Sequence, residues 1–420
     1  MQVDFLLVHS RDLLTLAPSS ASGGSDSGLG IIPDGAVAGR NGLIVEVGQT
    51  DEVLRRVSAV DGAVVVDATG RVAMPGFVDP HTHLVHAGSR ADEFARRLAG
   101  EDYLKILAEG GGILRTVEAT RGASEDELER TADGRLRQML AYGTTTAEVK
   151  SGYGLDLETE LKILRVVRRL RGRQPIDLIP TFLGAHAIPV EYRGRPEEYV
   201  ELVCGQMLPA VAREGLAVFC DVFCERGVFS VEQSRRIMTK AVELGLRARL
   251  HADELAESGG AWLAAEVGAL SADHLTFASP DGLRRMARAG VVAVLLPGAS
   301  YFLDHPYADA RAMIDEYGLE VALATDYNPG TSPILSMPTV ISLACVKMRM
   351  TVAEAIRAVT RGAARALGMQ SEVGALEMGK RADIVVLEAD SHQELIWGIG
   401  SNPVEQVIKG GRVAFERGVK

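Results

Sequence analysis

The hydrophobic rhythm of the chain changes twice. Over the first seventy residues, short β-rich runs (DFLLVHS, GAVAGR, LIVEVG, AVVVDATG) are punctuated by Gly, Asn and Asp and show no helical period. They predict a small sheet. From residue 73 onward eight apolar runs alternate with helical segments such as ETELKILRVVRRLR and SVEQSRRIMTKAVELG. The eight are AMPGFVDPHTH, TTTAEVKSGY, IDLIPTFLGAH, VFCDVFCE, RARLHADE, ALSADHL, VVAVLLPGAS and VALATDYNPG. Strand–helix alternation is the pattern of βα units around a parallel sheet, and eight of them predict a closed (β/α)8 barrel. After the barrel, GKRADIVVLEAD and VEQVIKGGRVAFERG return to the short-strand pattern. The expected organisation is therefore a barrel over 73–370, flanked by 1–72 and 371–420, which together build one small domain. Within the first part, APSSASGGSDSGLG is too poor in apolar side chains to pack and is expected to form a mobile surface loop without chemistry.

Composition narrows the partners. With 56 acidic against 45 basic residues and a net charge of −11, the chain lacks the basic excess that nucleic acid or an anionic membrane calls for. A small molecule is the expected partner. The four cysteines form no CxxC pair and no dense framework, which predicts reduced thiols and a cytoplasmic location. The start of the chain has no basic lead before a long apolar core, and no run approaches the roughly 20 apolar residues of a membrane helix, so neither secretion nor membrane insertion is expected.

In a (β/α)8 barrel the active site is built at the C-terminal ends of the strands, so the polar residues that close each run carry the chemistry. The first run ends in His81-Thr82-His83, and strand alternation sends the two imidazoles to one side, where they can share a metal ion. The fifth ends in His251, with Glu254 three residues on; the sixth ends in Asp273-His274; the eighth ends in Asp326. His81, His83, His251 and Asp326 supply three neutral nitrogens and a carboxylate oxygen. That set suits zinc or iron and leaves room for a water, as in a catalytic rather than a structural site. Each residue alone has a plainer explanation: a histidine pair on a strand edge, an aspartate that forms a turn before YNPG, a glutamate in a solvated first helical turn. Their joint placement at separate strand ends points to a bound divalent ion that activates water and polarises a carbonyl, and so to hydrolysis of an amide-like bond.

PGFVDPHTH, LHADE, SADHL and ATDYNPG together resemble the amidohydrolase superfamily. Longer stretches (PGFVDPHTHLVHAGSRADEF, GGGILRTV, KSGYGLDLETELKIL, FLGAHAIP, LLPGASYFL, ATDYNPGTSP) are similar to its imidazolonepropionase family over nearly the whole chain. The resemblance implies a metal-bearing barrel joined to a β-sandwich formed from both chain ends. It implies hydrolysis of 4-imidazolone-5-propanoate to N-formimidoyl-L-glutamate in histidine degradation, and a homodimer. It assigns the metal to His81, His83, His251 and Asp326, and substrate contacts to Arg90, Tyr153, His186, Glu254, Asn328, Gly330 and Thr331. An arginine matches the substrate's propionate carboxylate through two parallel hydrogen bonds; the alternative for Arg90 is a surface pair with Asp92 or Glu93. Glycines around Tyr153 allow close approach to a ligand, and Asn328 and Gly330 would offer amide and backbone groups.

Lys150 invites comparison with the carboxylated lysine that bridges two metals in some relatives. It falls on the second barrel strand rather than the fourth, whose run VFCDVFCE offers no lysine. One divalent ion, zinc or iron, is therefore expected, and Lys150 is read as a charged neighbour of the substrate or a structural residue. His186 goes to the substrate; His86, His305 and His392 are read as loop structure. In the mechanism this implies, Glu254, one helical turn beyond a ligand, moves protons, and His274 and Asp326 hold the water and the developing oxyanion. Two rival readings are a single-metal deaminase of cytosine or guanine, which has no use for an arginine clamp, and a non-catalytic scaffold, which should have lost ligands.

Overall fold

The computed structural model describes residues 1–17, 28–101, 105 and 109–419. Most of the Ser/Gly-rich stretch expected to be a mobile loop, residues 18–27, lies outside the described residues.

Both chain ends share one eight-stranded sheet. It contains β1 (Gln2–Leu14), β2 (Ile31–Arg40), β3 (Leu43–Gln49), β4 (Ser58–Asp67) and β5 (Val72–Pro75). Alternation along β1 feeds two layers: Phe5 and Leu7 pack with Val37 and Ile384, while Leu6 and Val8 pack with Ala36, Ala38 and Val53. The strands numbered β6 to β13 form the barrel. They are β6 (Phe77–Asp79), β7 (Thr144–Lys150), β8 (Asp177–Ala185), β9 (Phe219–Cys224), β10 (Arg247–Ala252), β11 (Ser271–His274), β12 (Val292–Leu295) and β13 (Val321–Leu323). They pair in sequence order, parallel throughout. The chain then returns to the first sheet as β14 (Ile384–Leu387), β15 (Val404–Lys409) and β16 (Arg412–Glu416), and β14 joins β5 in antiparallel register, with Val385 opposite Met74.

One expectation needs correction. AMPGFVDPHTH reads as a single barrel strand, but the chain divides it: β5 belongs to the terminal sheet, β6 opens the barrel, and only Gly76 separates them. A Cβ at Gly76 would overlap the Thr145 side chain, so the residue at this crossing has room only for hydrogen. The two histidines consequently lie past the end of β6 rather than within it.

Every residue of β7, β11 and β12 is buried, as expected of strands with the barrel interior on one side and helices on the other. The covering helices carry their own start signals. Asp156 caps Leu157–Leu170 by accepting from Thr159 N–H, and Ser230 with Gln233 forms a capping box at the start of Val231–Glu243. The cylinder closes through the site itself. Beyond the last strand, Asp326 N–H donates to His81 C=O at 3.1 Å and His83 N–H to Tyr327 C=O at 2.9 Å. Just below, Thr325 Oγ donates to the buried Asp79 carboxylate at 2.6 Å.

Candidate active site

At the C-terminal mouth of the barrel the structure brings His81, His83, His251 and Asp326 together. His81 Nε2 lies 3.3 Å from His83 Nε2, and His251 Nε2 lies 3.4 Å from the same atom. Asp326 Oδ1 is 3.4 Å from His81 Nε2 and 3.6 Å from His83 Nε2. Ligand atoms about 2.0–2.1 Å from one ion at tetrahedral angles stand roughly 3.3–3.4 Å from each other, so these four separations are close to those of a zinc-type shell; His81, His83 and His251 form one group able to hold an ion, and His81, His274 and Asp326 another. Burial lowers the pKa of His81 and of His83 well below the ordinary value, and their rings are neutral, the form that binds a metal. All four side chains are buried. The residues present therefore fit a metal ion.

Behind the donors lies a layer that sequence reasoning did not find. His81 Nδ1 donates to Asp273 Oδ2 at 2.7 Å, and His251 Nδ1 lies 3.0 Å from Asp221 Oδ2. The hydrogen bond to Asp273 fixes the tautomer that leaves His81 Nε2 free for a metal, whereas His251 Nδ1 faces Asp221 without a formed hydrogen bond. Lys150 Nζ is 2.8 Å from both Glu148 and Asp221. Burial acts to lower the pKa of this ammonium, but Asp221 and Glu148 outweigh it and hold the value above the usual one. Lys150 is completely buried beneath the site, which favours the structural of its two readings over a neighbour of the substrate. The signal was present: a lone Asp221 inside the apolar VFCDVFC, and Glu148 and Lys150 two apart in TTTAEVK.

A cavity of about 550 Å³ opens over the donors His83, His251 and Asp326, with Arg90, Tyr153, His186, Glu254, His274, Asn328 and Thr331 also in its wall. Its size suits a small molecule. Arg90 Nε donates to Glu93 Oε2 at 2.9 Å, so the anticipated surface pair does form, yet the arginine side chain is only 13% exposed and faces the cavity. His186 stacks on His83 with ring centroids 4.8 Å apart and donates from Nδ1 to Gly152 C=O at 3.0 Å, which leaves Nε2 as an acceptor. Burial takes its pKa down to about 3. The Asn328 carboxamide is engaged within its own turn: Oδ1 accepts from Gly330 N–H at 2.8 Å and Thr331 N–H at 2.7 Å. The cavity wall also includes Arg97, Phe223, Leu303 and His305, which the strand-end pattern did not single out; His305 lies on a loop, as expected, at the rim of the cavity. His86 is buried against Arg135, which donates to its carbonyl at 3.0 Å.

Glu254 requires a second correction. HADE does not run into a helical turn; the next helix begins at Gly260, and Asp253 adopts a left-handed φ of 51° that turns the chain at this point. Glu254 ends up in the cavity wall, with Oε2 3.6 Å from His274 Nε2. Burial pushes its carboxyl up to about 7, a range useful for proton transfer. His274 (φ 74°) and Asp326 (φ 50°) share this rare backbone conformation at the ends of their strands.

A (β/α)8 barrel whose open end gathers three imidazoles, a carboxylate and a buried acid defines a metal-dependent hydrolase. The model of the amidohydrolase family matches residues 72–414. The imidazolonepropionase of Symbiobacterium thermophilum is 52% identical over 99% of this chain and 98% of its own length, and that of Geobacillus kaustophilus is 51% identical over 98% and 97%. The chain belongs to the amidohydrolase family, and within it to the imidazolonepropionases. Among solved structures, 5-methylcytosine deaminase from Klebsiella pneumoniae shares the fold with a TM-score of 0.75 at 17% identity, covering 99% of this chain and 98% of that one. An adenosine deaminase from Xanthomonas campestris with bound zinc has a TM-score of 0.72 at 19% identity, covering 100% and 95%.

Proposed function

We infer that this chain hydrolyses the cyclic amide bond of 4-imidazolone-5-propanoate, giving N-formimidoyl-L-glutamate. The observation that carries this reading is Arg90 facing, within one cavity, His83, His251 and Asp326 of the donor set and the buried acid Glu254. A deaminase acting on a neutral base has no partner for that guanidinium.

His81, His83, His251 and Asp326 would hold one zinc or iron ion; when bound, it acts as a Lewis acid and brings the pKa of a water toward neutrality. A single ion is supported by Lys150, whose ammonium is enclosed by carboxylates and offers nothing to bridge a second. With its Nε held by Glu93, Arg90 directs its remaining N–H groups at the propionate carboxylate. His186 Nε2 accepts a hydrogen bond from a ring N–H, and Tyr153, stabilised as the neutral phenol by burial, closes the wall beside it. Asn328 shapes the turn that carries Gly330 and Thr331. Water adds to the ring carbonyl, Glu254 takes its proton and delivers it to the departing ring nitrogen, and the carbon–nitrogen bond opens to a carboxylate. His274, beside Glu254, donates to the developing oxyanion.

The enzyme is further proposed to be a cytoplasmic homodimer. Four unpaired cysteines support the compartment, and the family resemblance supports the dimer. Among the described residues no helix is long and apolar enough to cross a membrane.

The test is whether metal-replete protein consumes freshly generated 4-imidazolone-5-propanoate and forms N-formimidoyl-L-glutamate, with His251→Ala as the control. Turnover lost in the control is the expected result. No turnover by protein holding one equivalent of metal would overturn the substrate assignment.

A further inference from the structure

Alternate residues of β7, Glu148 and Lys150, point to the same side of the strand, and both are fully buried. There they meet carboxylates from two other strands. Lys150 Nζ lies 2.8 Å from Glu148 Oε1, 2.8 Å from Asp221 Oδ2 and 3.7 Å from Asp273 Oδ2. An ammonium has three protons to donate, and here three carboxylates surround it. The three carboxylates lead on to two histidine-bearing segments. Asp221 Oδ1 accepts from His251 N–H at 3.0 Å while Oδ2 faces the same residue's Nδ1. Asp273 Oδ2 accepts from His81 Nδ1. Glu148 Oε2 accepts at 3.2 Å from the N–H of Thr82, the residue between His81 and His83, and Lys150 N–H donates to Thr82 C=O at 2.9 Å.

A buried carboxylate without a cation is costly, so the ammonium that pairs with these carboxylates also fixes where they stand. Arg249 shares the load at Asp273, donating at 3.1 Å, but Asp221 and Glu148 have no cation within ion-pair distance other than Lys150 among the described residues.

We propose that Lys150 is the positioning residue of the metal centre: one ammonium keeps Asp221, Asp273 and Glu148 in place, and through them sets the rings of His251 and His81 and the backbone between His81 and His83. The inference rests on reading His81, His83, His251 and Asp326 as a metal site. Lys150 lies fully buried behind the donors, with its ammonium enclosed by carboxylates rather than free to serve as a bridging ligand.

The experiment compares wild type, Lys150→Met, Lys150→Arg and the charge-balanced double variant Glu148→Gln/Lys150→Met. Zinc affinity is read by chelator competition, the ligand field by the visible spectrum after cobalt substitution, and the fold by near-ultraviolet circular dichroism. Wild type that binds no zinc or cobalt would overturn the metal site itself. With wild type binding one equivalent, the expected result is a roughly 10- to 100-fold weaker zinc affinity and an altered cobalt spectrum in Lys150→Met and in the double variant, with partial recovery in Lys150→Arg. A folded Lys150→Met or double variant with wild-type affinity and spectrum would overturn the proposal. So would loss of the fold in both, which would make Lys150 structural only.

Discussion

Gly330 and Arg90 occupy each other's space: a Cβ on Gly330 would overlap Nη1 of Arg90 and lie 2.8 Å from its Cζ. The guanidinium can rest against that backbone only because position 330 carries no side chain. Since Arg90 Nε is already committed to Glu93, the arginine has little freedom to retreat.

Gly330→Ala should therefore act as a substrate-binding mutation. The expected outcome is a KM for 4-imidazolone-5-propanoate raised about tenfold or more, in line with weakening one charge-assisted hydrogen-bond pair, while bound metal stays at the wild-type level. Steady-state kinetics with metal analysis checks both. An unchanged KM would mean that Arg90 does not hold the propionate.

Removal of the ion has a defined signature. Dialysis against a chelator should abolish turnover, and one equivalent of zinc or iron should restore it. Asp326→Ala and His83→Ala should each lose metal together with activity. Titration that needs two equivalents for recovery would contradict a single-ion centre.

Glu254→Gln separates chemistry from metal binding. Glu254 is not one of the four donors and its carboxylate lies 3.6 Å from His274, so the variant should keep its metal while kcat falls by about 10²- to 10⁴-fold, the usual range for loss of a general acid/base. Full turnover in this variant would remove Glu254 from the proton path.

The Glu160 carboxylate builds the loop that carries Tyr153. It accepts from Gly152 N–H at 3.0 Å, Gly154 N–H at 2.7 Å and Leu155 N–H at 2.8 Å, and is fully buried. Glu160→Ala strands three donors, and a loss of at least about 1–3 kcal/mol of stability is expected, together with a raised KM. Denaturant unfolding and kinetics on the same preparation would check this; a change in neither would show that the loop keeps its shape unaided.

A pH-dependent contribution to stability is expected at Glu354, which caps the helix Val352–Arg357 with Thr351 and takes two hydrogen bonds from Arg311, at 2.7 and 3.0 Å. Burial works to raise its pKa, but Arg311 and the Thr351 N–H outweigh it and hold the carboxyl at about 2. Because the folded value lies below the ordinary one of 4.5, the stabilisation is fully present above pH 4.5 and disappears as the pH falls toward 2. Glu354→Gln should cost on the order of 1–2 kcal/mol at pH 7 after allowance for solvent screening, and less at pH 3. A difference that does not shrink with acid would rule out this ion pair as its source.

The chain by itself determined the architecture and the four donors. Eight apolar runs separated by amphipathic helices match the eight βα units of a closed parallel barrel, and the geometry of that barrel sets the polar residue at the end of each run at the mouth. His81, His83, His251 and Asp326 were legible for this reason. Tertiary structure decided the rest. Strands buried on both faces lose the polar–apolar alternation that would reveal which side chains point inward, so Glu148, Lys150 and Asp221 could not be matched to the histidines they support. The left-handed backbone at Asp253, His274 and Asp326 left no mark in a sequence of ordinary L-residues, although the first of these places Glu254 in the cavity. The split of AMPGFVD between two sheets at Gly76, and the closure of the barrel through His81, His83, Asp326 and Tyr327, are contacts between segments some 70 to 250 residues apart, beyond the reach of any local pattern.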